Sequence, residues 1–328
     1  MKELLPGLYQ ININLPGFAP GGVNLYLIRD GDTYATIDTG WETPESISSL
    51  EAQLAEFGLQ FSDIRRAIIT HCHGDHMGLM SRLKRLNNAV TYVHRDEMDL
   101  IKVRYDRDNT YWPITDKFIL SHGVPPAELP PPELEMPTLK SVVPPDILLE
   151  GGDEISIGEY SLRVIETPGH TPGHISLYEP RHRFLISGDV LLPTIATNAA
   201  THVLQMQNPL QMYLNSLSRL QELDIDMVLP GHEYPFSDHH KRIKELFEHY
   251  RQKRQAVLKV FRDGDFPRTA YDVSRRLSWT PHVKSYTWDR LNGWDRRLAM
   301  LQTIALLEEL AGAKKLTRFS QDGKLYYR

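Results

Sequence analysis

The chain has 328 residues, 41% hydrophobic and 24% charged, with a net charge of −5. That is the balance of an ordinary soluble globular protein, long enough for a sizeable core and, at roughly 150 residues each, for two domains. Three things are excluded as expectations: a membrane span, because no run approaches ~18 apolar residues; a signal peptide, because "MKELLPGLYQ" lacks an apolar core of ~7–15 residues; and an intrachain disulfide, because Cys72 is the only cysteine. A cytoplasmic protein without a membrane partner is expected.

In chain order, "VNLYLIRDGDTYATIDTG" predicts two strands, Val23–Ile28 and Tyr34–Ile37, joined by a tight turn at "RDGD". "TPESISSLEAQLAEFGL" predicts a helix with Thr43 or Ser46 as its cap and Gly58 as its stop. "IRRAIIT" reads as a β-branched strand, "MGLMSRLKRL" as a helix and "AVTYVH" as another strand. Strand–helix–strand alternation argues for an α/β layered domain.

Residues 97–145 differ. They open helically with "EMDLIKVRYDRD" and end in the proline-rich "PPAELPPPELEMP", the pattern of an insertion lying over something as a lid or packed loop. Its aromatic residues, including Tyr105, Tyr111 and Trp112, suit an enclosed apolar pocket.

Strands resume at Ile147. "DEISIGEYSLRVIETPGH" predicts a hairpin around Gly158, "HISLYEPRHRFLISGDV" a second strand pair, "NPLQMYLNSLSRLQEL" an amphipathic helix, and "DIDMVLPGHE" a strand ending in a Gly-His turn. A long helix follows in "SDHHKRIKELFEHYRQKRQAVLKVF", where His239 and His240 are expected to face water. Further helices and a two-strand ribbon at "QDGK" complete a helix–helix–helix–hairpin order, which is the pattern of a winged-helix-like unit. The expected division is a catalytic domain over 1–238 and a helical, winged-helix-like domain over 239–328.

Charge is unevenly divided. Residues 241–328 hold 20 Lys and Arg against 10 Asp and Glu, a balance of +10, so residues 1–240 carry −15. A basic tail on an acidic body is either a solvated helical surface or a surface for nucleic acid.

The chemistry concentrates in four stretches, each following a predicted strand. They are "HCHGDH" (71–76), "TPGHTPGH" (167–174), "SGD" (187–189) and "PGHE" (230–233). Imidazole and carboxylate suit zinc and similar first-row cations. A glycine at or next to each donor lets the backbone turn sharply and approach an ion closely. His71 and His73, two residues apart on an extended turn, can reach one ion. Asp75 and His76 can face a second. A helix would space its donors i, i+4 instead. Cys72 lies between two donors and points away from them, a buried bystander.

At these residues the sequence resembles the metallo-β-lactamase superfamily. His71, His73, Asp75 and His76 match its His-x-His-x-Asp-His motif, and His170, Asp189 and His232 match its three later ligand positions. The resemblance covers roughly residues 5–240. It implies an αββα sandwich with the metals at one edge, between two sheets. It further implies His71, His73 and His170 on one divalent ion, Asp75, His76 and His232 on a second, and Asp189 between them. The ions would be two zinc ions, with iron or manganese also accepted by such donors. Asp38 in "IDTG" and His174 would support the ligands from behind.

Dinuclear metal-assisted hydrolysis is the expected activity, with Asp75 both a ligand and the group orienting the attacking hydroxide. Lactonases of the superfamily place a tyrosine soon after the bridging aspartate. Here "GDVLLPTIATN" has none, so Tyr105 or Tyr111 would have to substitute, and His202 is a further candidate for substrate contact. The tail resembles that of the β-lactamase-like-protein-2 subgroup, whose members include single-strand RNA endonucleases. Two expectations therefore stand. One is a hydrolase of a small ester, thioester or lactone, with the tail packing on the core or forming a homodimer. The other is a metal-dependent endoribonuclease holding single-stranded RNA on the basic tail.

Overall fold

The turn at Arg29–Asp32 forms as its sequence directs, with Gly31 in the left-handed region at φ 65°. The structure is a computed structural model and describes all residues except 15–21, 107, 109, 130–141, 203–207, 263, 265 and 281–284. Much of the proline-rich end of the 97–145 insertion therefore lies outside the described residues.

Seven strands in simple order make the first sheet: β1 (Lys2–Leu5), β2 (Leu8–Ile13), β3 (Val23–Asp30), β4 (Thr33–Ile37), β5 (Ile64–Ile68), β6 (Val90–His94) and β7 (Ile147–Leu149). The first four are antiparallel; β4 to β7 run parallel. The second sheet holds β8 (Glu154–Ile157), β9 (Tyr160–Glu166), β10 (Ile175–Glu179), β11 (Phe184–Gly188) and β12 (Met227–Pro230), with only β11 and β12 parallel. The two sheets face each other across Tyr26, Ile37, Ile68, Leu162, Leu177 and Ile186, all almost fully buried. Each such aliphatic side chain contributes about 1.5–3 kcal/mol on burial.

Helices cover both outer faces. On the first sheet lie α1 (Pro44–Ala55), the single turn α2 (Gly74–Met77) and α3 (Met80–Asn87), with Leu50, Leu54 and Leu83 packed inward. Thr43 is the N-cap of α1, its hydroxyl accepting the Ser46 amide at 3.2 Å, an interaction worth about 1 kcal/mol. The described part of the insertion forms α4 (Met98–Arg104) and α5 (Tyr111–Ser121). The second sheet is covered by α6 (Pro209–Gln221), α7 (His239–Arg262), α8 (Ala270–Ser274) and α9 (Gly293–Gly312). The layers are helix, sheet, sheet, helix, the αββα sandwich that the sequence implied.

The C-terminal elements also follow the expected order, ending in a ribbon of β13 (Arg318–Gln321) and β14 (Lys324–Tyr327). Asp322 and Gly323 make its turn, both at positive φ, as the "DG" pair favours. These elements share one hydrophobic core with the body: Leu217 of α6, Tyr250 of α7, Leu306 of α9 and Ile119 of α5 belong to the same buried cluster as Leu185 of β11. His239, expected to face water, is buried, while His240 is exposed. The reason is amphipathicity: His239 precedes Ile243 and Leu246 by one and two turns on the face that α7 buries.

Candidate metal centre

All seven predicted donors meet at one edge of the sandwich, and strand register is what brings them there. Parallel pairing sets Ile37 of β4 beside Ile68 of β5, so Asp38 emerges next to Thr70. It likewise sets Gly188 of β11 beside Pro230 of β12, so Asp189 and His232 emerge side by side. Strands β9 and β10 pair Glu166 with Ile175 and thereby close the loop carrying His170 and His174. The sheets are joined at the same edge, where Thr70 accepts the Ile175 amide at 2.9 Å and Gly231 accepts the Asn24 amide at 2.7 Å.

Three donor groups result, each with ligand atoms within 4.8 Å of one another: His71, His73 and His170; His71, His76 and Asp189; Asp75, His76 and His232. The Nδ1 of His73 lies 3.0 Å from the Nε2 of both His71 and His170. The Nε2 atoms of His76 and His232 are 3.3 Å apart, and Asp75 Oδ2 lies 3.4 Å from His232 Nε2. Asp189 stands between the groups, with Oδ2 3.5 Å from His170 and 3.4 Å from His232, and Oδ1 3.5 Å from His76.

The other ring nitrogen of four imidazoles is already engaged. His170 Nδ1 donates to the Asn198 carbonyl at 3.1 Å, and His232 Nδ1 to the Gly22 carbonyl at 2.8 Å. His76 Nδ1 meets Asp38 Oδ2 at 2.7 Å. His71 Nδ1 meets the Thr70 hydroxyl at 3.0 Å, and that hydroxyl donates to Asp38 at 2.8 Å. These partners place the proton on Nδ1 and leave the Nε2 lone pair facing the centre, which is the state a metal requires. Asp38, held at φ 61°, thus takes the supporting position expected of it. His174 does so differently: its Nε2 accepts the Asp189 amide at 3.0 Å, fixing the backbone that presents the central carboxylate.

The donor set fits a divalent cation pair. Asp189 Oδ1 is buried and has no hydrogen-bond partner among the described residues, an expensive arrangement for a carboxylate without a cation. Burial, then the neighbouring imidazoles, hold His71 well below the usual histidine range. Burial opposes charge on His76 too, but Asp189, Asp75 and Asp38 outweigh it and push that group up to about 9. Burial raises Asp189, yet His232 and His76 dominate and hold it well below the carboxylate range. The site is a cluster of mutually dependent charges.

Two glycines permit this crowding. A Cβ on Gly231 would lie 2.5 Å from Asp189 Oδ1 and 2.8 Å from His76 Cε1. A Cβ on Gly188, which has φ 52°, would lie 2.7 Å from His174 Nε2.

A cavity of about 710 Å³ opens from the centre, reaching His73, Asp75, His170, Asp189 and His232. The expectation that the 97–145 insertion forms the pocket is only part of the answer. Arg104, Tyr111 and Trp112 come from it, while α7 and α9 supply Leu246, Lys253, Leu298 and Leu301 on other walls. Tyr111 and His202 line the cavity, the Tyr111 hydroxyl 3.3 Å from His202 Nδ1. Tyr105, the other tyrosine expected to meet substrate, does not line the cavity; its hydroxyl donates to the Cys72 carbonyl at 2.7 Å, bracing the ligand loop. Cys72 is fully buried, and burial followed by nearby Glu97 raises its thiol well above the usual range, in keeping with a bystander.

Sequence reasoning missed Glu97. This fully buried carboxylate accepts the Cys72 amide at 2.7 Å and the Gly173 amide at 2.6 Å, tying the loop of His71 and His73 to that of His170. It also missed Arg104 and Lys253 on the cavity wall. None of the three lies in a motif, so no local signal marks them.

Five imidazoles and two carboxylates at the edge of an αββα sandwich define a metallo-hydrolase class of site. Residues 19–232 match the family model of the metallo-beta-lactamase superfamily, and the chain belongs to that family. It is 26% identical over 329 residues to a "Probable metallo-hydrolase YqjP" of Bacillus subtilis strain 168, covering 95% of this chain and 94% of that one. It is 26% identical over 309 residues to a "Beta-lactamase-like protein 2 homolog" of Caenorhabditis elegans, with 94% and 84% covered. It is 27% identical over 251 residues to "Acyl-coenzyme A thioesterase MBLAC2" of Bos taurus, with 72% and 81% covered. A metallo-beta-lactamase family protein from Thermus thermophilus has a solved structure similar over 99% of this chain and 100% of its own, with TM-score 0.84 and 29% identity. The protein is accordingly a metal-dependent hydrolase. No helix among the described residues is long and apolar enough to cross a membrane.

Proposed function

We propose that this protein hydrolyses a small acyl ester or thioester whose acyl part lies in the cavity beside the metal centre. The cavity carries the proposal: about 710 Å³, walled by α7 and α9 as well as by α5, and ending at Asp75, His73 and His170. The walls mix apolar side chains such as Trp41, Trp112, Leu246, Leu298 and Leu301 with polar ones such as Arg104, Lys253 and Gln302, a lining that suits a small amphiphile. The bovine relative named as an acyl-coenzyme A thioesterase supports the same substrate class.

His71, His73 and His170 would hold one divalent ion and Asp75, His76 and His232 the second, with Asp189 between them. Such ions supply a Lewis acid and a water of lowered pKa. The chain's own contribution is positional. Asp38, Thr70 and the carbonyls of Gly22 and Asn198 hold the imidazoles in one tautomer. Asp75 keeps some exposure to the cavity and would accept a hydrogen bond from the attacking water, orienting it toward a carbonyl carbon. Apolar side chains such as Trp112, Leu298 and Leu301 would pack against the acyl group.

The endoribonuclease reading gains less support. An RNA strand needs an open basic channel. Here Arg254 pairs with Glu309, Arg251 with Glu248 and Arg318 with Glu308, so these three cations are engaged within the tail while its net balance of +10 remains. The same helices wall the cavity. We infer that residues 239–328 serve the substrate site, whether or not they form a domain of their own.

A panel of ester, lactone, thioester and RNA substrates, assayed with the metal-loaded protein and after chelation, tests this. Turnover of a thioester or ester that chelation abolishes is expected. RNA cleavage with salt-sensitive RNA binding, and no ester or thioester turnover, would overturn it.

A further inference from the structure

Arg104 ends α4 on the cavity wall that also carries His73, His202 and Tyr111. Its guanidinium lies 5.2 Å from the ring centre of Tyr111 and 5.9 Å from those of Tyr105 and Trp112. Stacked rings stabilise the cation through its faces. They do not satisfy its five N–H donors, which lie in the guanidinium plane. Among the described residues Arg104 is in no ion pair with a carboxylate; its polar neighbours are the Tyr105 and Tyr111 hydroxyls, which can engage only part of its five donors, and the Tyr105 hydroxyl is itself donated to Cys72. Other cations on the cavity are engaged: Arg297 with Asp116, Arg242 with Glu245 and two carbonyls.

The position narrows what Arg104 could meet. Tyr111, under the guanidinium, bonds to His202, and His202 bonds to the His170 carbonyl at 2.9 Å while its ring lies 6.3 Å from that of His73. The donors that the two tyrosines leave over therefore lie one ring away from the metal donors, on the wall of the space that a substrate would fill. A planar fork of N–H groups matches a carboxylate or phosphate oxygen pair, as a lysine would not.

We propose that the substrate is anionic and that Arg104 holds its carboxylate or phosphate, positioning the acyl carbonyl at the metal centre. This rests on the ester or thioester reading above and narrows it. The anion has two possible sources. It is either a carboxylate at the far end of the acyl chain or a phosphate on the leaving thiol.

Three thioesters separate these in the metal-loaded, full-length protein: butyryl-N-acetylcysteamine, which is neutral; glutaryl-N-acetylcysteamine, with a carboxylate on the acyl chain; and butyryl-coenzyme A, with phosphates on the thiol. Wild type, Arg104→Lys and Arg104→Met are compared, with metal content and circular dichroism as checks on folding. For the anionic substrate that wild type prefers, Arg104→Met should raise KM about 10- to 100-fold, the range for losing a hydrogen bond to a charged group. The kcat should change far less, Arg104→Lys should recover part of the loss, and the neutral thioester should be unaffected. Preference for the glutaryl compound assigns the anion to the acyl chain; preference for the coenzyme A ester assigns it to the thiol.

Equal effects of Arg104→Met on neutral and anionic thioesters would overturn the proposal. Calorimetric titration of glutarate and of inorganic phosphate gives a second readout independent of turnover. Wild type should bind one of them and Arg104→Met should bind it at least tenfold more weakly; equal binding to both proteins would also overturn it. If wild type turned over none of the thioesters, the hydrolysis reading would fail while these titrations still decided the role of Arg104.

Discussion

The Glu97 carboxylate accepts the Gly173 amide at 2.6 Å, and its second oxygen accepts the Cys72 amide at 2.7 Å. Through those two bonds a residue outside every motif couples the loops that present His71, His73 and His170. Replacing Glu97 with Gln turns one acceptor into a donor that faces an amide N–H. We expect Glu97→Gln to bind metal about 10- to 100-fold more weakly, the usual effect of disturbing the groups that orient metal ligands. A competition titration against a chromogenic chelator measures it; unchanged affinity would assign Glu97 to folding alone.

Asp38 makes a second such test. Its carboxylate holds both His76 and Thr70, and through Thr70 the ring of His71. Asp38→Asn keeps the size but can present an N–H toward His76 Nδ1, favouring the wrong tautomer. Metal affinity should again fall, by about 10- to 100-fold. The signature is selective: histidine NMR resonances of His76 and His71 should shift while those of His232, held by Gly22, stay.

Gly231 tests the crowding. A methyl group there would meet Asp189 Oδ1 and His76 Cε1 at 2.5 and 2.8 Å. Gly231→Ala should lose most bound metal and with it turnover, while far-ultraviolet circular dichroism stays close to wild type. Metal content by elemental analysis checks it.

Chelation should lower stability as well as activity. Ligand bound only to the folded state adds RT ln(1 + [L]/Kd), about 2.7 kcal/mol at one hundred times Kd. Removing it also restores mutual repulsion between the carboxylates of Asp75 and Asp189. The melting temperature should drop on chelation and recover on adding zinc or manganese. A melting temperature unmoved by chelation would count against a metal held by these residues.

Lys253 gives a pH test away from the metal. Its ammonium donates to Gln302 at 2.9 Å and lies 4.4 Å above the Trp279 ring, and burial pulls its pKa down to about 8 from 10.5. The folded state thus binds this proton less tightly than the unfolded state. The resulting penalty is fully present below pH 8 and fades as pH rises toward 10.5. Lys253→Met should therefore gain most relative to wild type at neutral pH, and the gap should narrow between pH 8 and 10.5. Melting temperatures of both proteins across that range would show it.

The donors and hairpin turns were legible because short-range rules govern them. His71 and His73 two residues apart, the glycines beside Asp189 and His232, and the "DG" pairs at the two hairpins each carry their geometry in a few neighbours. The αββα layering followed from alternating strands and helices and from the family resemblance. The side of α7 that His239 occupies was misjudged, because a polar stretch does not show which of its faces a distant core will cover.

What the sequence determined by itself is the chemistry: seven metal-type donors in four strand-end turns, and the fold that carries them. Only the tertiary structure decided how those donors are held and what they face. Glu97 reaches Gly173 across 76 residues, and the cavity joins Arg104 of α4 to Lys253 of α7 and Leu298 of α9. Such contacts depend on how packed layers bring remote segments together, and no local pattern of residues encodes that proximity.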